Sequence, residues 1–161
     1  MIGATLANAD NATCAALRVF AEDLGIAFQL RDDVLGVFGN EAATGKSNQN
    51  DIREGKYTYL VECLLKTISA EESALFDSIF GNQSATPDQI QTIRDMFVSS
   101  DALEKVEAEI SAYESRARKE LDFLQLSPEY RELFEDLINK SVKRDRQWNF
   151  TPKLHIKTPV Y

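Results

Sequence analysis

The 161-residue sequence is poor in the residues that mark loop-rich and disulfide-linked proteins. With only 7 glycines and 4 prolines, it does not have the composition of a disordered or turn-rich chain. Its two cysteines, Cys14 and Cys63, lie in apolar helical contexts and fit neither a disulfide framework nor a metal cluster. We therefore expect reduced thiols and a cytoplasmic protein. The sequence has no run of about 18 apolar residues, so no transmembrane segment is expected.

Positive charge is also scarce, because 26 acidic residues outnumber 18 lysines and arginines and leave a net charge of −8. A protein of this charge should repel nucleic acid and anionic membranes, so we expect neither as a partner. Hydrophobic residues make up 43 % and charged residues 27 %, the proportions of a globular protein, and the length fits roughly one domain.

Apolar residues recur at three- and four-residue spacing over most of the chain, which predicts an all-α helical bundle. The spacing predicts a first long helix over about 12–38, a polar loop over 39–50 and a further helical stripe over about 51–68. A second long helix is predicted to open at Asp101. A last helix is predicted after Ser127-Pro128, with these residues facing inward: Tyr130, Leu133, Phe134, Leu137, Ile138 and Val142.

Two helix starts carry local signals of their own. The sequence S-A-E-E from Ser69 to Glu72 matches a capping box, in which the two side chains satisfy free N–H groups at a helix start. Thr86 and Gln89 have the same spacing, with Pro87 at the first helical position, where its missing N–H costs nothing.

The stretch FQLRDDVLGVFG, residues 28–39, places two adjacent acids on a mostly apolar helix. Gln29, Asp32, Asp33 and Gly36 are three or four residues apart and share one stripe, at the border of the apolar face. An unpaired carboxylate there would cost several kcal/mol, roughly, or lose its charge. A hard cation such as Mg²⁺ would explain both acids. The alternative is that they pair with Arg31 or with basic residues of neighbouring helices.

The next stretch, ATGKSNQNDIREGKYT at residues 43–58, adds positive charge to this region. Lys46, Arg53 and Lys56 stand beside Gly45 and Gly55. Lysine binds phosphate as a compact charge, and glycine lets the backbone approach a ligand, so acids followed by this stretch outline a diphosphate site. The alternative is a solvated loop with incidental charges, since no P-loop pattern is present.

Residues 25–60 as a whole resemble the second aspartate-rich region of the trans-isoprenyl diphosphate synthases, the polyprenyl synthetase family. That region reads F-Q, then D-D-x-x-D, then G-K, then D-[LI]-x-x-G-K-x-T. These residues match in order and spacing: Gly25, Phe28, Gln29, Asp32, Asp33, Gly45, Lys46, Asp51, Ile52, Gly55, Lys56 and Thr58. The resemblance covers about residues 1–147, and it marks residues 1–148 as the C-terminal half of the family's helical domain and 149–161 as a tail.

The resemblance implies the isoprenoid synthase fold and a magnesium-dependent prenyltransferase that joins an allylic diphosphate to isopentenyl diphosphate. It implies that Asp32 and Asp33 are catalytic Mg²⁺ ligands, that Lys46 is catalytic, and that both Lys46 and Lys56 hold the diphosphate. It further implies supporting roles for the following residues: Gln29 at the substrate or metal, Phe28 in the hydrocarbon pocket, Arg53 at the substrate, and Asp51 as a helix cap or as an acid behind the metal ligands.

Two departures from the family pattern bear on activity. Gly36 stands where the third aspartate of D-D-x-x-D is expected, and the family's first aspartate-rich motif has no counterpart in this sequence. We therefore expect the chain to be inactive alone and to act as a homodimer or with the missing N-terminal half. Two alternatives remain open: a non-catalytic subunit of a partner synthase, and a helical interaction module outside the family.

Overall fold

A computed structural model describes residues 2–39 and 50–143, and within these ranges the chain forms eight helices and no strand. The helices are α1 (Ile2–Leu6), α2 (Asn11–Phe38), α3 (Asn50–Arg53), α4 (Tyr59–Leu65), α5 (Ala70–Ile79), α6 (Pro87–Ser99), α7 (Ala102–Phe123) and α8 (Pro128–Val142). The all-α prediction is confirmed. The predicted loop at 39–50, apart from its two end residues, and the predicted tail at 149–161 lie outside the described residues.

The two longest described helices, α2 and α7, make the most extensive helix–helix contact of the structure. Each buries one face, because residues three and four apart lie on the same side of a helix. Of the stripe that the sequence predicts for α2, Phe20 and Leu24 are buried, and the remaining members are half-buried: Leu17, Phe28 and Leu35. The buried core side chains of these two helices include Phe20, Leu24, Ala27, Val34 and Val37 on α2 and Val106, Ile110, Ala117 and Leu121 on α7. Helices α4 and α8 cover the same pair, with Phe134 of α8 edge-on to Phe20 at 5.2 Å between ring centroids.

Two bidentate ion pairs also connect α2 with α7. Arg31 donates both terminal guanidinium nitrogens to Glu107, each at 2.6 Å. Arg116 donates to both carboxylate oxygens of Asp23, at 3.2 and 3.0 Å, and its guanidinium lies 4.1 Å from the Tyr113 ring centroid. The hydrogen bond to the buried Asp23 raises the pKa of Arg116 above its usual range. The earlier residue of α2, Asp23, pairs with the later residue of α7, Arg116, so the two helices run antiparallel.

The predicted helix starts are confirmed where a side chain supplies the cap. Ser69 and Glu72 form a capping box at α5, and Thr86 and Gln89 form one at α6. Ser127 occupies the N-cap position of α8 as predicted, but its side chain makes no capping hydrogen bond. Both cysteines are free thiols. None of the helices within 2–39 and 50–143 has the length and apolar character needed to cross a membrane.

Two of the predicted stripes are wrong in detail. On α8, Tyr130, Leu133 and Leu137 face outward, with exposures of 58 %, 60 % and 36 %. The apolar positions of α8 cover more than one face, and only the face carrying Ile138 and Val142 reaches α2 and α7.

The stripe predicted over 51–68 is divided, because α3 ends at Arg53 and α4 begins at Tyr59. Gly55 between them has a φ of +65°, which no right-handed helix contains, and Tyr57 beside it is exposed.

Candidate functional site

The C-terminal part of α2 presents the acids singled out in the sequence. Asp33 is 8 % exposed, whereas Asp32, one residue earlier and about 100° away around the helix, is half-buried. Gln29, one turn before Asp33, donates its side-chain amide to Asp33 Oδ1 at 3.0 Å. The i,i+4 spacing on one helix face places the amide against the carboxylate and fixes the direction of its oxygens.

Lys56 connects this helix with the segment that follows α3. Its Nζ donates to Asp33 Oδ1 at 3.0 Å and to Asp51 Oδ2 at 3.4 Å. Partial burial acts to lower the pKa of Lys56, but the hydrogen bond and negative charge of Asp33, together with those of Asp51, outweigh it and raise the pKa. The ammonium therefore stays protonated between two carboxylates at neutral pH.

The turn after α3 explains how Asp51 and Lys56 meet. The N–H of Lys56 donates to the carbonyl of Asp51 at 2.9 Å, and the N–H of Gly55 donates to the carbonyl of Ile52 at 3.2 Å. These two bonds, with Gly55 at positive φ, make a Schellman motif. The motif folds the chain back on itself, so the D-x-x-x-G-K spacing brings the acid and the lysine to the same side.

A second glycine fixes this turn in the fold. Gly81 donates its N–H to the carbonyl of Ile52 at 2.9 Å, and a Cβ on Gly55 would lie 3.0 Å from the Gly81 Cα. Arg53 turns toward the same loop and donates to the carbonyl of Ala85 at 3.3 and 3.0 Å. The structure therefore directs the Arg53 guanidinium toward the Ala85 carbonyl.

Gly36 lies directly against Asp51. A Cβ built on Gly36 would be 2.1 Å from Asp51 Oδ2 and 2.7 Å from its Cγ. The carboxylate of Asp51 therefore fills the space that any side chain at position 36 would enter. Gly25, eleven residues earlier on the same helix, has no atom within 4 Å of its corresponding Cβ position.

Of the predicted site residues, the structure brings together Gln29, Asp33 and Lys56, with Asp51 as their neighbour. Asp32 and the half-buried Phe28 lie within a turn or so of Asp33 on α2, and Lys46 lies outside the described residues. For Asp51, the sequence left two roles open, a helix cap or an acid behind the metal ligands. The Schellman spacing to Lys56 was the signal that could have placed it.

The donor set is compatible with a magnesium ion. Mg²⁺ takes one or two carboxylates and completes its octahedron with water and substrate phosphate, and Asp32 and Asp33 supply oxygens of that kind. Within residues 2–39 and 50–143, no three Asp, Glu, His or Cys residues are grouped closely enough to hold a metal ion by themselves. The residues present therefore fit an ion shared with a phosphate ligand better than one enclosed by protein alone.

The fold and the site together define an all-α protein in which the acids of one long helix meet Asp51 and Lys56 from the short helix α3 and the turn after it. The model of the polyprenyl synthetase family matches residues 1–97, and the chain belongs to this family. Its fold is accordingly the all-α isoprenoid synthase fold. This membership argues against the alternative of a helical interaction module outside the family.

Three relatives illustrate the similarity. The geranylfarnesyl diphosphate synthase of Aeropyrum pernix is 35 % identical over 147 residues, which are 89 % of this chain and 44 % of the relative. Geranylgeranyl pyrophosphate synthase of Corynebacterium glutamicum, solved in complex with isoprenyl diphosphate and magnesium, superposes with a TM-score of 0.81 at 36 % identity, over 88 % of this chain and 40 % of that one. The polyprenyl synthase of Caulobacter crescentus, in complex with calcium and isoprenyl diphosphate, gives a TM-score of 0.77 at 29 % identity, over 89 % and 43 %.

The chain thus spans less than half the length of each of these three relatives.

Proposed function

We propose that this chain supplies one metal- and diphosphate-binding wall of a prenyltransferase that condenses an allylic diphosphate with isopentenyl diphosphate. The observation that carries the proposal is the hydrogen bond from Lys56 Nζ to Asp33 Oδ1 at 3.0 Å, between residues 23 positions apart in the sequence. Both residues lie in the part of the chain that matches the polyprenyl synthetase family. Support comes from the two structural relatives, whose complexes hold isoprenyl diphosphate together with a divalent cation.

The site residues would divide the work by charge. Departure of a diphosphate leaves negative charge on its oxygens, and a lysine that stays protonated lowers the energy of that state. Lys56 meets this need because its carboxylate neighbours raise its pKa. By the family pattern, Lys46 would add a second positive charge. Gln29 would hold Asp33 in one orientation through its 3.0 Å hydrogen bond.

Asp32 and Asp33 would hold the magnesium ion, which when bound supplies positive charge to the leaving diphosphate. The half-buried Phe28 would contribute to the apolar wall that keeps water from the hydrocarbon chain. Arg53 is the weakest of the predicted substrate contacts, because its guanidinium is committed to the Ala85 carbonyl.

Isothermal titration of the chain with farnesyl diphosphate, an allylic diphosphate, tests this function. We expect binding in the presence of Mg²⁺ and none in EDTA. Asp33→Ala and Lys56→Ala should each weaken binding by about tenfold or more, the loss of one charge-assisted contact. Asp77→Ala is the matched control, since Asp77 is an exposed acid on α5 and should leave affinity unchanged. Absence of binding by the unmodified chain with Mg²⁺, or equal binding in EDTA, contradicts the proposal.

We further propose that the chain works in the cytoplasm and that its α2 surface is covered by a second copy or by the part of the fold that the longer relatives contain. The free thiols of Cys14 and Cys63 suit a reducing compartment. Val19 and Ile26, seven residues apart on α2, are 36 % and 41 % exposed and form an apolar strip. Sedimentation velocity at micromolar concentration measures the homodimer, and a monomer throughout would exclude it.

A further inference from the structure

The carboxylate of Asp51 fills the space beside Gly36 that a side chain at position 36 would enter. In the D-D-x-x-D pattern that begins at Asp32, Gly36 stands where the third aspartate is expected. Asp51 comes from a different helix, yet its carboxylate lies where the side chain of residue 36 would begin, 2.1 Å from the Cβ position. We propose that Asp51, whose carboxylate reaches this space from α3, is the positioning residue for Lys56.

The turn that carries Asp51 leaves little freedom for another arrangement. The Schellman motif joins the Asp51 carbonyl to the Lys56 N–H at 2.9 Å, and Gly81 holds the adjoining Ile52 carbonyl at 2.9 Å. Backbone hydrogen bonds therefore hold the Asp51 backbone in the position that places its carboxylate beside Gly36. Only a glycine at position 36 leaves room for it.

The position of Lys56 depends on carboxylates on both of its sides. Asp33 Oδ1 accepts from Nζ at 3.0 Å and Asp51 Oδ2 accepts at 3.4 Å. Because the lysine side chain is long and 41 % exposed, one ion pair alone would hold it weakly. With two acceptors, the ammonium is confined beside Asp33, where the proposed function needs a positive charge for the diphosphate. This inference rests on that proposed function.

The test moves the carboxylate instead of only removing it. The transposed variant combines Asp51→Ala with Gly36→Asp and restores a carboxylate from α2. The matched control combines Asp51→Ala with Gly36→Ala, which has the same backbone change without the charge. The unmodified chain, Asp51→Ala, the transposed variant and the matched control are titrated with inorganic pyrophosphate in the presence of Mg²⁺, after circular dichroism has verified their helix content.

We expect Asp51→Ala to weaken pyrophosphate binding by about five- to tenfold, as for loss of one charge-assisted hydrogen bond at a partly exposed site. The matched control should be equally weak, and the transposed variant should recover most of the affinity. Removal of a negative charge would by itself favour an anion. A loss of affinity therefore identifies positioning, whereas unchanged or increased affinity in Asp51→Ala overturns the proposal.

A measurement without ligand separates this proposal from the proposed function. The ¹⁵N chemical shift of Lys56 Nζ is expected to move by the same amount in Asp51→Ala and in the matched control, and to return toward the unmodified value in the transposed variant. If the unmodified chain does not bind pyrophosphate with Mg²⁺, the proposed function fails and this shift alone decides the role of Asp51. A transposed variant that matches the control in its Lys56 shift refutes that role.

Discussion

The contrast between two glycines of α2 gives the sharpest stability prediction. Replacement of glycine by alanine in an exposed helix interior stabilises a protein by about 0.5–1 kcal/mol, because alanine loses less backbone entropy on folding. Gly25 is exposed and has no atom within 4 Å of its Cβ position, so Gly25→Ala should show the full gain. Gly36→Ala should not, although it lies on the same helix.

The size of the difference follows from the contacts of Gly36. Its new methyl carbon would stand 2.1 Å from Asp51 Oδ2 and 2.7 Å from the carboxylate carbon, far inside van der Waals distance. Asp51 must rotate away, which forfeits its contact with Lys56, worth about 0.2–1 kcal/mol for an exposed pair. Residual overpacking costs about 1–3 kcal/mol. Gly36→Ala should therefore be less stable than Gly25→Ala by about 1–4 kcal/mol.

Urea unfolding followed by circular dichroism at 222 nm measures the free energy of unfolding of both variants. In a thermal scan, a difference of 1 kcal/mol corresponds to about 2–4 °C in Tm for a chain of this size. The Asp51→Ala background is the control, because removal of the carboxylate also removes the obstacle. In that background the two alanine substitutions should stabilise equally. If Gly36→Ala stabilises the unmodified chain as much as Gly25→Ala does, the close approach of Asp51 is refuted.

Two further predictions concern the scaffold around the site. Arg116→Ala leaves the buried carboxylate of Asp23 without its bidentate partner and should lower the free energy of unfolding. Arg131→Ala, whose partner carboxylates are more exposed, should lower it less, by under about 1 kcal/mol, in the same urea titration. Equal costs would show that burial of Asp23 is unimportant. Ser69→Ala removes a capping box and should lower stability by about 1 kcal/mol, whereas Ser127→Ala removes no capping bond and should leave Tm nearly unchanged; a larger loss at Ser127 would contradict this account of the caps.

Features set by neighbours in sequence could be predicted, and features set by distant packing could not. The long helix predicted over about 12–38 and the capping box at Ser69 are local, since each depends on residues within one or two turns. The exposure of Leu133 was not predictable, because its spacing is that of a buried residue and only the neighbours of α8 decide which face is covered. The pattern around Lys56 predicted a diphosphate site but not its direct contact with Asp33, across 23 positions.

The arrangement of charges along α2 bears on whether its acids are structural or functional. Salt bridges that stabilise the packing of this helix exist, but on the α7 side they are made by Asp23 and Arg31, each in bidentate contact. Arg31 gives its terminal nitrogens to Glu107. The ion-pair partner of Asp33 is instead the partly exposed Lys56. A lysine that is 41 % exposed adds little stability through such a pair. That placement has a clearer purpose if the lysine and the carboxylate are held together for a ligand that carries phosphate.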